Sequence, residues 1–212
     1  MSKEICLITY PRCGSTYLFN IFSESFKKNI FRSHLYTEAQ YKHYEKNNYI
    51  VTLLRNPLDA ISSIVSLEAF YFSNENNFEK IIDFTIKDRI KNYETFFSIV
   101  PKFSNLILNY EDINLYKNNI VEYVSSKSGN KIINYDYNCF IEDNSEAKFL
   151  KSSQNYDKYE YIKQKVFDSN LTKCFNIYNN IITECKILAK TNNITIFDLY
   201  RIKFTRRFIL SR

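Results

Sequence analysis

Three arginines and one histidine in the first 55 residues of this chain are of types that could do chemistry: Arg12, Arg32, His34 and Arg55. Arg12 opens Arg12-Cys13-Gly14-Ser15-Thr16-Tyr17, which Thr9-Tyr10-Pro11 joins to the apolar run Ile5-Cys6-Leu7-Ile8. Arginine supplies a fixed positive charge, serine and threonine supply hydroxyl donors, and histidine moves protons near neutral pH. At the Arg12–Thr16 turn the common chemistry is anion binding, whereas a lone histidine near a strand end is by itself a polar surface residue. Gly14 sharpens the point, because the protein has only 2 glycines in 212 residues. Where glycine is this scarce, one that remains answers a backbone need: a positive φ, or the close approach of a ligand.

These residues need elements to position them. Residues 4–9 read as a buried strand and 15–28 as a helix with Leu18, Ile21, Phe22 and Phe26 on one face. A strand, a tight turn and a helix start together make an anion site, because the first helical N–H groups are unpaired and carry partial positive charge. A second extended piece is expected at 30–34. Tyr49 to Leu54 is a further buried strand, ending at Arg55-Asn56-Pro57-Leu58-Asp59. There Asn56 can cap a helix, Pro57 suits its first position and Asp59 its first turn. Leu58, Ile61, Val65 and Phe72 continue that helix at its apolar spacing. A long helix follows over 78–100, with Phe78, Ile82, Ile86, Arg89, Tyr93, Phe96 and Val100 along one side. Asn105 to Asp112 reads as a strand turning into a helix. A last helix near 169–190 carries Leu171, Phe175, Tyr178, Ile182 and Cys185 as packing residues. No pattern emerges over 130–165. Alternating strands and helices predict one α/β domain over 1–212, with three layers and a mostly parallel central sheet flanked by helices. Ligands of such sheets bind beyond the carboxyl ends of the strands, where both turns fall.

Composition narrows the partners. A net charge of +6 suits an anionic ligand, but it is too dispersed to argue for nucleic acid. The excess of Tyr, Phe, Asn, Lys and Ile reads as compositional bias, not as a base-stacking surface. No apolar run is long enough to span a membrane, and no signal peptide is recognisable. The basic ending RIKFTRRFILSR reads as a solvated terminal segment. The cysteines Cys6, Cys13, Cys139, Cys174 and Cys185 are scattered, without a CxxC pair, and predict free thiols in a reducing, cytoplasmic setting. His34 and His43 cannot build a metal centre alone, so no metal is expected. His43 fits no motif and is expected on the surface.

The turn is neither a nucleoside-triphosphate loop nor a phosphatase loop. No lysine follows Gly14, and Phe19 stands where a phosphatase cradle around Cys13 would need arginine. Thr9-Tyr10-Pro11-Arg12-Cys13-Gly14-Ser15-Thr16-Tyr17-Leu18 instead resembles the 5′-phosphosulfate loop of sulfotransferases that use 3′-phosphoadenosine 5′-phosphosulfate (PAPS). Leu54-Arg55-Asn56-Pro57-Leu58-Asp59, with Ser63 two helical turns on, is similar to that family's 3′-phosphate motif. Arg32-Ser33-His34-Leu35 sits where the family places a segment bearing its catalytic histidine. Asn109-Tyr110-Glu111-Asp112 is similar to a structural Tyr-Glu-Asp of many members. The resemblance covers about 1–115 and implies a P-loop NTPase-like fold. It also implies His34 as general base toward a hydroxyl or amine acceptor, with Arg12 on the leaving phosphate oxygen and Arg32 near the sulfuryl group. Arg12, Cys13, Gly14, Ser15, Thr16 and Tyr17 are implied to cradle the 5′-phosphate, and Arg55 and Ser63 to hold the 3′-phosphate. The chain departs from the family at Cys13 and Tyr17, and lacks the glycine-rich basic loop that closes over PAPS, for which Lys148 or Lys151 could substitute. Two other readings stay open: a P-loop-type kinase of a nucleotide or small metabolite, and an inactive module that binds PAP (PAPS after loss of its sulfuryl group) or a partner.

Overall fold

The computed structural model describes residues 2–26, 30–34, 37–74, 77–134 and 153–191. Lys148, Lys151, Leu35, Cys139 and the basic ending lie outside the described residues. Strand β1 (Glu4–Ile8) leads through the Thr9–Gly14 turn into α1 (Ser15–Phe26), and β2 (Ile30–Ser33) follows. Then come α2 (Glu38–Glu45), β3 (Asn48–Leu54), α3 (Pro57–Phe72), α4 (Phe78–Ile99) and β4 (Leu106–Asn109). The described chain closes with α5 (Ile113–Ser128), α6 (Ser153–Phe167) and α7 (Thr172–Thr191).

The four strands pair in the order β2-β1-β3-β4, all parallel, with Cys6 between Phe31 and Ile50, and Val51 beside Leu106. Every residue of β3 is buried, so both faces of the sheet are covered. By the right-handed crossover rule, α1 belongs to one face and the helices between β2 and β4 to the other. The contacts agree: α1 packs on α5, which follows β4, whereas Tyr41 of α2 meets Phe96 of α4 edge-on with ring centroids 6.4 Å apart, and Tyr10 meets the same ring at 6.1 Å. This is the α/β architecture that the alternation of elements predicts.

The topology singles out one place. From β1 the chain turns through α1 to β2 on one side of the sheet; from β3 it turns toward β4 on the other. The crevice beyond the carboxyl ends of β1 and β3 is therefore the switch point of the sheet, where open α/β folds take their ligands.

Two helices escaped the sequence reading. In α2 only Tyr41 is buried, so no apolar stripe marks it. Its signal is a capping box: the Thr37 hydroxyl accepts from the Gln40 N–H at 3.4 Å, and the Gln40 side chain accepts from the Thr37 N–H at 3.1 Å. Helix α6 buries Ile162 and Val166 among polar and tyrosine-rich neighbours, too few apolar positions to register a period. One expected core position is corrected. Phe72, on the apolar spacing of α3, is 72% exposed, because α3 ends there and its last turn runs out past the core.

Candidate anion site at the switch point

The β1–α1 turn is shaped by two residues in the left-handed region, Arg12 at φ 64° and Gly14 at φ 84°. For glycine this is free; for arginine it costs about 1–2 kcal/mol, and such strain gathers at functional turns. Gly14 is needed for a second reason. A Cβ there would collide with the ring of Tyr110, 2.6 Å from its Cδ2. The turn closes with the Cys13 N–H donating to the Tyr10 carbonyl at 3.3 Å. The first helical bond runs from the Leu18 N–H to the Gly14 carbonyl at 3.2 Å, so the N–H groups of Ser15, Thr16 and Tyr17 precede the helical ladder.

Arg12 and Arg55 meet across the crevice. Arg55 follows the last residue of β3, and its guanidinium donates to the Arg12 carbonyl at 2.6 Å. It also lies over the Tyr110 ring, 4.6 Å from the centroid. Its Nε is buried and has no partner among the described residues, and there Arg55 pairs with no carboxylate. A buried guanidinium N–H without an acceptor is costly, and an anion in the crevice would satisfy it. Arg12 turns toward α3, where its Nε donates to the Ser63 hydroxyl at 3.2 Å. Helix α3 is started by Asn56, whose side chain accepts from the Leu58 N–H at 3.0 Å, with Pro57 in the first turn as the sequence predicts.

His34 stands just beyond β2 and is exposed. Its Nδ1 lies 2.6 Å from the Thr9 carbonyl oxygen. A carbonyl only accepts, so Nδ1 carries a proton, and in the neutral ring it is Nε2 that has the lone pair. Arg32 reaches back from β2 to donate to the Thr16 hydroxyl at 2.8 Å, and its guanidinium sits 5.4 Å from the Phe19 ring centroid. The ends of β1 and β2 and the α1 start are thus tied by side-chain hydrogen bonds from His34 and Arg32.

The other expected site residues divide by what they offer. Ser15 is nearly buried and Thr16 exposed at the helix start. Tyr17 is half-buried, and its hydroxyl donates to Asn114 Oδ1 at 2.6 Å; burial, with Tyr110 alongside, raises its pKa. Cys13 points its thiol into the core, where burial pushes its pKa up to about 12 despite the nearby Arg55 charge. It stays a neutral thiol, and its N–H is spent within the turn. His43 lies away from the site, edge-on to Tyr44. Tyr110 is the residue the sequence reading undervalued. Taken as structural, it covers both Arg55 and Gly14. Its only sequence signal is the Asn109–Asp112 resemblance.

No protein-family model matches the chain, and no curated protein matches it in sequence. Among solved structures it is similar to the mouse sulfotransferase SULT7A1 complexed with PAP, at 16% identity and a TM-score of 0.42. That match covers 77% of this chain and 63% of the other, so the chain spans less than two thirds of that protein's length.

Proposed function

We propose that this protein is a sulfotransferase that moves a sulfuryl group from PAPS to a hydroxyl or amine acceptor. The observation that carries the reading is the pair of arginines at the switch point: Arg55, with its buried unpartnered Nε, held against the strained turn of Arg12. The motif resemblance at Thr9–Leu18 and Leu54–Ser63 agrees with it.

On this reading PAPS supplies an activated sulfuryl group, and the protein supplies position and charge. The N–H groups and hydroxyls at Ser15 and Thr16 hold the 5′-phosphate. Arg55, with Ser63, holds the 3′-phosphate. Arg12 offsets the negative charge that gathers on the bridging oxygen as the S–O bond breaks. Arg32, tethered to Thr16, faces the transferring group. His34 Nε2 takes the proton from the acceptor as its oxygen or nitrogen bonds to sulfur. The hydrogen bond to Thr9 supports that role, since it fixes the tautomer that can accept a proton.

The deciding experiment is a thermal-shift titration with PAP, 5′-AMP and Mg-ATP in parallel. A ligand that binds only the native state raises its stability. PAP is expected to stabilise well beyond AMP. A response to Mg-ATP alone would turn the reading to a kinase. PAP binding without transfer to any acceptor in a broad panel would turn it to an inactive binding module.

A further inference from the structure

Helix α4 contributes no charged group to the anion site, yet it holds both turns that form it. The Tyr10 hydroxyl, from the β1–α1 turn, donates to the Arg89 carbonyl at 2.9 Å. The Tyr93 hydroxyl, one helical turn further along α4, donates to the Arg55 carbonyl at 2.8 Å. Both tyrosines are fully buried, with ring centroids 5.2 Å apart in an edge-to-face pair. Phe97 packs on Tyr93 at 4.5 Å, and Phe96 on Tyr10 at 6.1 Å. Arg89 is itself clamped, its Nε donating to Glu68 of α3 at 3.1 Å while a second guanidinium nitrogen reaches the same carboxylate. The α4 segment is therefore fixed before it fixes anything else.

Arg55 lies past the end of β3, where the sheet ladder no longer orders its backbone. Its side chain is oriented by the Arg12 carbonyl and the Tyr110 ring. Its main chain is oriented by the Tyr93 hydroxyl. We propose that Tyr93 is a positioning residue for the 3′-phosphate contact, and Tyr10 one for the 5′-phosphate turn. Helix α4 then acts as the ruler that sets their separation. This rests on the reading of Arg55 given above and adds two residues that never touch the ligand.

The two tyrosines make different predictions, and that difference separates positioning from plain stability. PAP and 5′-AMP share the 5′-phosphate and differ by the 3′-phosphate. Calorimetric Kd values for both nucleotides are measured on the wild-type chain, Arg55→Ala, Tyr93→Phe and Tyr10→Phe. Tyr93→Phe keeps the ring and loses one hydrogen bond, so its PAP-over-AMP preference is expected to fall about 3- to 10-fold with AMP affinity unchanged. Tyr10→Phe is expected to weaken both nucleotides alike and leave the preference intact. If Tyr93→Phe does not fold, Tyr93→Met, which also lacks the hydroxyl, reads the same loss. A Tyr93 variant that weakens both nucleotides equally, or neither, while Arg55→Ala erases the preference, overturns the proposal. If Arg55→Ala keeps the preference, or the wild-type chain has none, the 3′-phosphate reading fails and this inference falls with it.

Discussion

At the residue scale, each polar group of the site is defined by what its other end touches. His34 is oriented through Nδ1 by the Thr9 carbonyl, and the proposed role as base uses the nitrogen that this contact leaves free. His34→Ala is expected to lower turnover by at least about 100-fold, the usual worth of a positioned base, while PAP still stabilises the fold. Retained turnover would remove it from the mechanism. Cys13 makes the opposite case: it sits in the turn yet offers no chemistry. With its thiol pushed to about 12 by burial, it is expected to resist alkylation in the native protein at pH 8, and to react only under denaturant. Peptide mapping after iodoacetamide checks this; rapid native modification would mean the thiol is not in the core.

At the scale of elements, the site depends on two helix starts. Asn56→Ala removes the side-chain acceptor for the Leu58 N–H and is expected to cost about 1 kcal/mol in chemical denaturation. Because Arg55 immediately precedes the cap, PAP affinity should fall with it. Gly14→Ala is the harsher change. It pushes a Cβ into the Tyr110 ring and forces a left-handed alanine, for about 1–3 kcal/mol of strain before the ring moves. A marked loss of both melting temperature and nucleotide binding is expected. A variant as stable as the parent would show that the turn adopts another conformation.

For the whole molecule, three thiols buried among the described residues titrate late: one on β1, one in the β1–α1 turn and one on α7. Cys6, Cys13 and Cys174 are each raised from 9.0 to about 12, first of all by burial. The sign follows from proton counts. Between those values the unfolded chain has lost the thiol proton and the folded chain keeps it, so stability falls as pH rises. The stabilisation from neutral buried thiols is complete below pH 9 and gone by about 12, worth on the order of 1–4 kcal/mol for each thiol. Denaturation midpoints measured from pH 8 to 11 should decline, and Cys174→Ala should flatten that decline. A flat profile would place the thiols in water. The ion pairs joining α6 to α4, Lys165 with Glu79 and Asp83, are exposed, and added salt should change stability little.

The local sequence determined the strand–turn–helix units, because short-range physics makes them. Ile5–Ile8 is a continuous apolar run, and Tyr49–Leu54 is one interrupted at Thr52; runs this short, bounded by turn residues, suit a strand covered on both faces. Gly14 and Asn56-Pro57 state their turn and cap in residue types that few other conformations use. The same physics made α2 and α6 illegible, since a helix that buries one or two side chains leaves no period to read. Tertiary structure alone decided which distant groups meet. Strand order brought Arg55 under the Arg12 carbonyl, turned Arg12 onto Ser63, and laid Tyr110 across Arg55 and Gly14. It also sent the Tyr10 and Tyr93 hydroxyls to carbonyls far along the chain. Each of these contacts depends on a register between elements, and such a register is set by the packing of the whole sheet and leaves no mark in any one segment.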